Sequence, residues 1–240
     1  MHYQPIVNLA TSKVVGFEAL MRWRHGERGW VPPNVFIPLA EKSDLIVELG
    51  SFALREATAA ASTWNLDDRC FVTVNVSARQ FGAPGLAGTI ETALAKSGLS
   101  PSQLVLEITE SVAMDDVSKT MRTLEYLRRR GVGVAIDDFG TGHSSLSYLV
   151  DLKPTIIKID RSFINPSRAS VRNDIVLEAI LSLGHNLKVT MLAEGIETPE
   201  HLARLRRLGC ELGQGYLFSP AVPASDVPGQ LGERRLESIV

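Results

Sequence analysis

Short runs rich in valine and isoleucine alternate along the chain with longer stretches whose apolar residues recur at helical spacing. The runs are YQPIVNL (3–9), VVGFEALMRW (14–23), FVTVNVS (71–77), QLVLEIT (103–109), VGVAIDD (132–138), TIIKID (155–160), KVTMLAE (188–194) and ELGQGYLF (211–218). Each is bounded by glycine, proline or polar clusters, which predicts a strand. Between them, DLIVELGSFALREATAAASTW, DDVSKTMRTLEYLRRRG and TPEHLARLRRLG predict amphipathic helices, the last two ending in basic residues and a glycine. Alternating strands and helices imply an α/β fold, a parallel sheet covered by helices. Eight strands suggest closure into a modified (β/α)8 TIM-type barrel. The modification comes from ATSK (10–13), the only link between the first two strands. A parallel crossover needs a dozen or more residues, so the first strand is predicted to run antiparallel to the second. No internal repeat or linker divides the chain, which reads as one domain over 1–240. Its motif-bearing core is 3–223, and the tail 224–240 forms a turn or short helix on the outside.

Composition narrows the function more than the fold. At 240 residues, 45% hydrophobic and 22% charged, the chain can bury a sizeable core. A net charge of −2 argues against broad electrostatic binding of DNA. The two cysteines, Cys70 and Cys210, form no CxxC pair and suggest no disulfide framework. No run approaches the ~18 consecutive apolar residues of a membrane span, and MHYQPIVNL lacks the basic start of a signal peptide. The expectation is a cytoplasmic domain without membrane contact, with a start that looks clipped.

Side chains alternate faces along a strand. Val72, Val74 and Val76 share one face and Thr73, Asn75 and Ser77 the other, so packing the valines under helices turns Asn75 inward. The same parity turns Glu107 away from Leu104, Leu106 and Ile108, and puts Asp137 with the small residues Gly133 and Ala135. Lys158 falls between Ile157 and Ile159, Glu194 shares a face with Thr190 and Leu192, and Glu18 opposes Phe17 and Ala19. Singly, each has an ordinary explanation as a solvated or salt-bridged side chain. Together they are six polar residues near the C-terminal ends of six strands, the end where such barrels build their sites. A ring of acids repels itself unless cations share it. Glu18, Asn75, Glu107, Asp137, Asp138 and Glu194 offer oxygen ligands only, which suits two divalent cations, Mg²⁺ or Mn²⁺. Asp137 would bridge the two and Asp138 bind the second; a pair about 3.5–4 Å apart suits in-line displacement at phosphorus. The five histidines are scattered without zinc-type spacing. After the paired acids, Phe139, Gly140, Thr141, Gly142, His143, Ser144 and Ser145 read as a gating loop, against the plainer alternative of a serine-capped strand-to-helix turn.

FEALMRW (17–23), NVS (75–77), LEITES (106–111), DDFGTG (137–142), IKID (157–160), AEGIET (193–198) and GQGYLF (213–218) resemble, in order and spacing, the EAL-domain family. The resemblance implies a phosphodiesterase that hydrolyses the bacterial second messenger cyclic di-GMP to linear pGpG. It also implies site roles. Glu18, Asn75, Glu107 and Asp137 resemble the ligands of one metal, and Asp137, Asp138 and Glu194 those of the second or of its waters. Lys158 resembles the lysine that contacts the bridging water, and Gln214 the glutamine that orients the site. Arg22 matches an arginine that engages a substrate phosphate, Glu110 a glutamate that holds the glycine-rich loop, and Gln4 a residue near the substrate; Asp138 is also placed beside the substrate. The family barrel has an antiparallel first pair of strands, a homodimer near the glycine-rich loop is expected, and covalent neighbour domains in a longer parent, itself open to membrane anchoring, are expected too. His201 stands where many relatives have glutamine, and His143 where tyrosine or phenylalanine is common.

The mechanism implied is attack of a two-metal-activated hydroxide in line on one phosphorus, with Glu194 or Lys158 orienting the nucleophile or accepting its proton. Two alternatives are carried: a catalytically silent cyclic di-GMP receptor, and an unrelated magnesium-dependent barrel enzyme acting on another phosphoester.

Overall fold

A computed structural model describes residues 1–64, 70–109, 117–140, 149, 151–164 and 171–232. The strands are β1 (His2–Asn8), β2 (Lys13–Leu20), β3 (Trp23–His25), β4 (Gly29–Val31), β5 (Phe71–Asn75), β6 (Leu104–Thr109), β7 (Gly133–Phe139), β8 (Ile156–Ile159), β9 (Thr190–Ala193), β10 (Leu212–Gly213) and β11 (Val222–Pro223). Every one of the eight expected strands is present. β2 pairs parallel with β5, and the parallel ladder continues through β6, β7, β8 and β9 to β10. β1 then closes the barrel, antiparallel to both β2 and β10. The short ATSK link therefore does what its length dictates. β11 adds to the outer part of β1, with His2 opposite Pro223.

Strand parity separates two apolar cores. Val72, Val74, Leu104, Leu106, Val134, Ile136, Ile157 and Ile159 face the helices in one large cluster with Leu54, Ala57, Leu124 and Leu127. Ile6, Val105, Ala135, Ile156, Leu192 and Leu212 form a second cluster inside the barrel. This inner plug excludes water from beneath the mouth, which strengthens every electrostatic interaction above it. No described helix is long and apolar enough to cross a membrane.

Two strand ends are set by close backbone packing. After β5, Ser77 caps the Ala78–Gly82 helix in a capping box with Gln80. The Leu45–Thr63 helix rests on this cap through Gly50, where a Cβ would lie 1.9 Å from Gln80 Nε2. At the other end of the sheet, the run expected as a strand over 211–218 is extended only at Leu212–Gly213. Beyond it the backbone serves other partners: Ile196 N–H donates to Gln214 O (3.0 Å), Leu217 N–H to Ile196 O (3.0 Å) and Phe218 N–H to Gly215 O (3.1 Å). The expected strand over 14–23 likewise stops at Leu20, and Trp23–His25 turns back on Gly29–Val31 as a separate hairpin. The tail contributes the expected short helix, Val227–Gly232.

Gly215 is required by proximity. A Cβ there would lie 2.1 Å from Ile196 O and 2.3 Å from Ile196 N, both backbone atoms with little freedom to move. Gly215→Ala is expected to destabilise the fold by about 1–3 kcal/mol. Gly88 lies within the Leu86–Ser97 helix with open space around its Cα. Gly88→Ala is expected to stabilise by about 0.5–1 kcal/mol. Urea unfolding of both variants checks the opposite signs.

Candidate functional site

Side chains from the ends of several strands meet on one ammonium group. Lys158, on β8, is 1% exposed. Its Nζ lies 2.7 Å from Glu107 Oε2, 2.7 Å from Glu194 Oε1, 3.2 Å from Asp137 Oδ1 and 3.5 Å from Glu18 Oε1. The sequence expectation placed mobile cations among these acids; the structure places a covalently tethered one at their centre as well. Asn75 Nδ2 donates to Glu18 Oε1 (3.1 Å), and Gln214 Nε2 donates to Glu18 Oε2 (2.6 Å) and Glu194 Oε1 (3.3 Å). Gln214 thus ties the strand that opens the parallel ladder to the one that ends it.

The adjacent acids Asp137 and Asp138 reach the mouth through a break in the ladder. The β7–β8 register shifts between Ile136 and Phe139, and Asp138 has φ 55°. Consecutive residues of a regular strand point to opposite faces; a bulge with one left-handed residue re-aims them, and aspartate is among the side chains that tolerate that region. Asp138 N–H donates to Asp137 Oδ1 (3.0 Å), locking the pair.

Electrostatics follow from burial and crowding. Four carboxylates against one ammonium leave three formal negative charges in a largely dry space. Burial opposes the charge on Lys158, but Glu107, Glu18, Glu194 and Asp137 together outweigh it and hold its pKa well above the usual lysine value. Burial pushes Glu107 well up, helped by the charge of Glu18. Burial also pushes Glu194 up to about 7, against the pull of Lys158. Glu18 is instead held below its usual value, because Lys158 and the donors Gln214 and Asn75 overcome its burial. Burial and the neighbouring Asp137 raise Asp138.

Among the described residues, no three His, Cys, Asp or Glu side chains converge on a single open metal position, because the acids turn in on Lys158. The donor set nevertheless fits hard divalent cations. It is all oxygen, it carries uncompensated negative charge, and the buried acceptors Glu107 Oε1 and Gln214 Oε1 have no partner among the described residues. The residues able to hold such ions are Glu18, Asn75, Glu107, Asp137, Asp138 and Glu194.

Of the remaining expected residues, Gln4 lies opposite Glu18 on β1 and donates to Ser219 O (3.1 Å). Arg22 follows β2 and donates to Met21 O (3.0 Å), outside the ring around Lys158. Phe139 is buried at the end of β7 and Gly140 has φ 89°. Glu110 and the loop residues Thr141, Gly142, His143, Ser144 and Ser145 lie outside the described residues. His201 N–H donates to Thr198 Oγ1 (3.3 Å) at the start of the Pro199–Arg207 helix. Strand parity puts Thr73, a buried hydroxyl two residues before Asn75, on the same inward face but assigns it no role.

Two stability measurements check this electrostatic picture. Lys158→Met strands the buried acids and is expected to cost about 3–5 kcal/mol, less at pH 5 than at pH 8 because protonated acids need no counter-charge; urea unfolding at both values reads it. Glu194 keeps a proton in the folded state up to about 7, whereas the unfolded chain releases it near 4.5. Between those values the folded state binds more protons, so stability falls as pH rises through the window and levels off above it. Glu194→Gln in chelator-treated protein is expected to remove that part of the slope in thermal melts.

Comparison with known proteins places the chain. The family model described as EAL domain matches residues 1–221. The bifunctional diguanylate cyclase/cyclic di-GMP phosphodiesterase MucR of Pseudomonas aeruginosa is 43% identical over 230 residues, covering 95% of this chain and 33% of MucR. The chain thus spans about a third of that curated relative's length. The solved PaMucR phosphodiesterase in complex with c-di-GMP superposes with a TM-score of 0.90 at 42% identity, covering 94% of this chain and 92% of that one. The Klebsiella pneumoniae BlrP1 manganese/cy-diGMP complex gives a TM-score of 0.81 at 30% identity, covering 92% and 55%. With the match running from the first residue past the last barrel strand, the chain belongs to the EAL domain family.

Proposed function

We propose that this domain hydrolyses cyclic di-GMP to linear pGpG with the help of two divalent cations, Mg²⁺ or Mn²⁺. The observation that carries the reading is the crowd of acids from separate strand ends around Lys158, with three formal negative charges left over. Glu18, Asn75, Glu107 and Asp137 would hold one cation, and Asp137, Asp138 and Glu194 the other. When bound, such ions neutralise the acids and lower the pKa of a coordinated water from 15.7 to about 7. Calcium and manganese complexes of the similar BlrP1 support a divalent cation here.

The chain's own groups then divide the work. Glu194, 2.7 Å from Lys158 at the mouth, would take the proton from the attacking water and deliver it as the ester oxygen departs. Lys158 is kept protonated by its surrounding acids; its ammonium holds Glu107 and Glu194 and would orient the attacking water between them. Gln214 holds Glu194 and Glu18 in register through one amide nitrogen. Arg22 offers a planar five-donor fork to a substrate phosphate, while Gln4 and Asp138 border the substrate. The family resemblance would give Glu110 the role of holding the gating loop of Phe139 to Ser145. A homodimer is part of the reading; Ile175 and Val176, both exposed on the Val171–Leu187 helix, offer an apolar contact for it. So are a cytoplasmic location and covalent neighbour domains, consistent with the greater length of MucR.

The deciding experiment incubates the pure protein with cyclic di-GMP and Mn²⁺, with and without chelator, and follows pGpG by chromatography. Chelator-sensitive production is expected. Glu194→Gln is expected to lower turnover by about 10²–10⁴-fold while retaining substrate binding. Binding by the unaltered protein without turnover would make it a receptor, and neither would end the reading.

A further inference from the structure

Three side-chain atoms inside the barrel are buried without a hydrogen-bond partner among the described residues: Glu107 Oε1, Gln214 Oε1 and Thr73 Oγ1. The first two belong to the acidic mouth and its amide anchor. Thr73 belongs to neither, yet the same strand uses valine at 72 and 74, and Val76 follows its end. A valine at 73 has the same shape without a hydroxyl to desolvate, so the retained oxygen calls for a partner.

Its position names one. Thr73 shares the inward face of β5 with Asn75. Its register partners are Glu18 on β2 and Val105 on β6, and Asn75 pairs with Glu107. The hydroxyl therefore lies on the strand between those carrying Glu18 and Glu107, level with Glu18 in register and one layer beneath Glu107. The two strands are held level here, since Val76 N–H donates to Glu107 O (2.8 Å). A hydroxyl has one hydrogen to give. Glu18 is already served by Asn75 on Oε1 and Gln214 on Oε2. Glu107 receives Lys158 on Oε2 and nothing described on Oε1.

We propose that Thr73 is a positioning residue of the cation site, directing its hydroxyl hydrogen through one ordered water to Glu107 Oε1 and so fixing the orientation in which Glu107 would meet the metal. The inference rests on the cation-dependent reading above. Supporting hydrogen bonds to metal-ligating carboxylates commonly set metal affinity by about 10–100-fold.

The test titrates Mn²⁺ into the full chain by calorimetry, without substrate, for wild type and Thr73→Val, Thr73→Ala and Thr73→Ser. Thr73→Val keeps the side chain's shape and is expected to melt close to the wild-type temperature, while its Mn²⁺ dissociation constant rises about tenfold or more. Thr73→Ala is expected to weaken Mn²⁺ alike, and Thr73→Ser to restore the wild-type constant. With cyclic di-GMP, turnover by Thr73→Val should recover at excess Mn²⁺, as a loss of metal affinity requires. Wild-type affinity in Thr73→Val, or equal weakness in Thr73→Ser, overturns the role of the hydroxyl while leaving the phosphodiesterase reading standing. Absence of Mn²⁺ binding by wild type removes the cation site itself, and this inference with it.

Discussion

An ammonium group buried among carboxylates survives only if attraction exceeds the cost of taking every charge out of water. Lys158 meets that condition by having four acids within 3.5 Å, delivered by β2, β6, β7 and the end of β9. The arrangement constrains the rest of the barrel. Each acid must arrive at the same height from a different strand, which demands a closed sheet in fixed register. The inner apolar plug of Ile6, Val105, Ala135, Ile156, Leu192 and Leu212 must fill the space below, or water would enter and weaken the attraction.

Several backbone features serve this one requirement. The bulge at Asp137–Asp138 converts two neighbouring acids, which a regular strand would send to opposite faces, into a pair at the mouth. Gly215 lets the chain pass against Ile196 so that Gln214 leaves β10 pointing at Glu18 and Glu194. The capping box of Ser77 and Gln80, seated on Gly50, ends β5 just beyond Asn75. In each case, local departure from regular secondary structure is located where a functional side chain must be aimed.

The excess of negative charge gives the site its chemical character. One lysine cannot balance the acids, so some hold protons, as the raised pKa of Glu194 and Glu107 indicates, until divalent cations replace those protons. The same competition links ion binding, proton binding and stability in a single pocket. It also explains why a positioning hydroxyl beneath the ring would matter more for cation affinity than for folding.

Much of this was legible in the amino-acid sequence, because strand parity and loop length are local. Valines and isoleucines alternating with Asn75, Glu107, Asp137 and Lys158 fixed which residues turn inward, and a four-residue link forced β1 to run antiparallel. The motifs around Glu18, Asp137 and Glu194 carried the family resemblance without any coordinates. Sequence could not show that Lys158 is the hub, since four contacts from residues 21 to 140 positions away exist only once the barrel closes. Nor could it show where the strand over 211–218 gives way to a turn, or that Thr73 is left without a partner among the described residues. Those outcomes depend on distances between strands, and only the tertiary structure sets them.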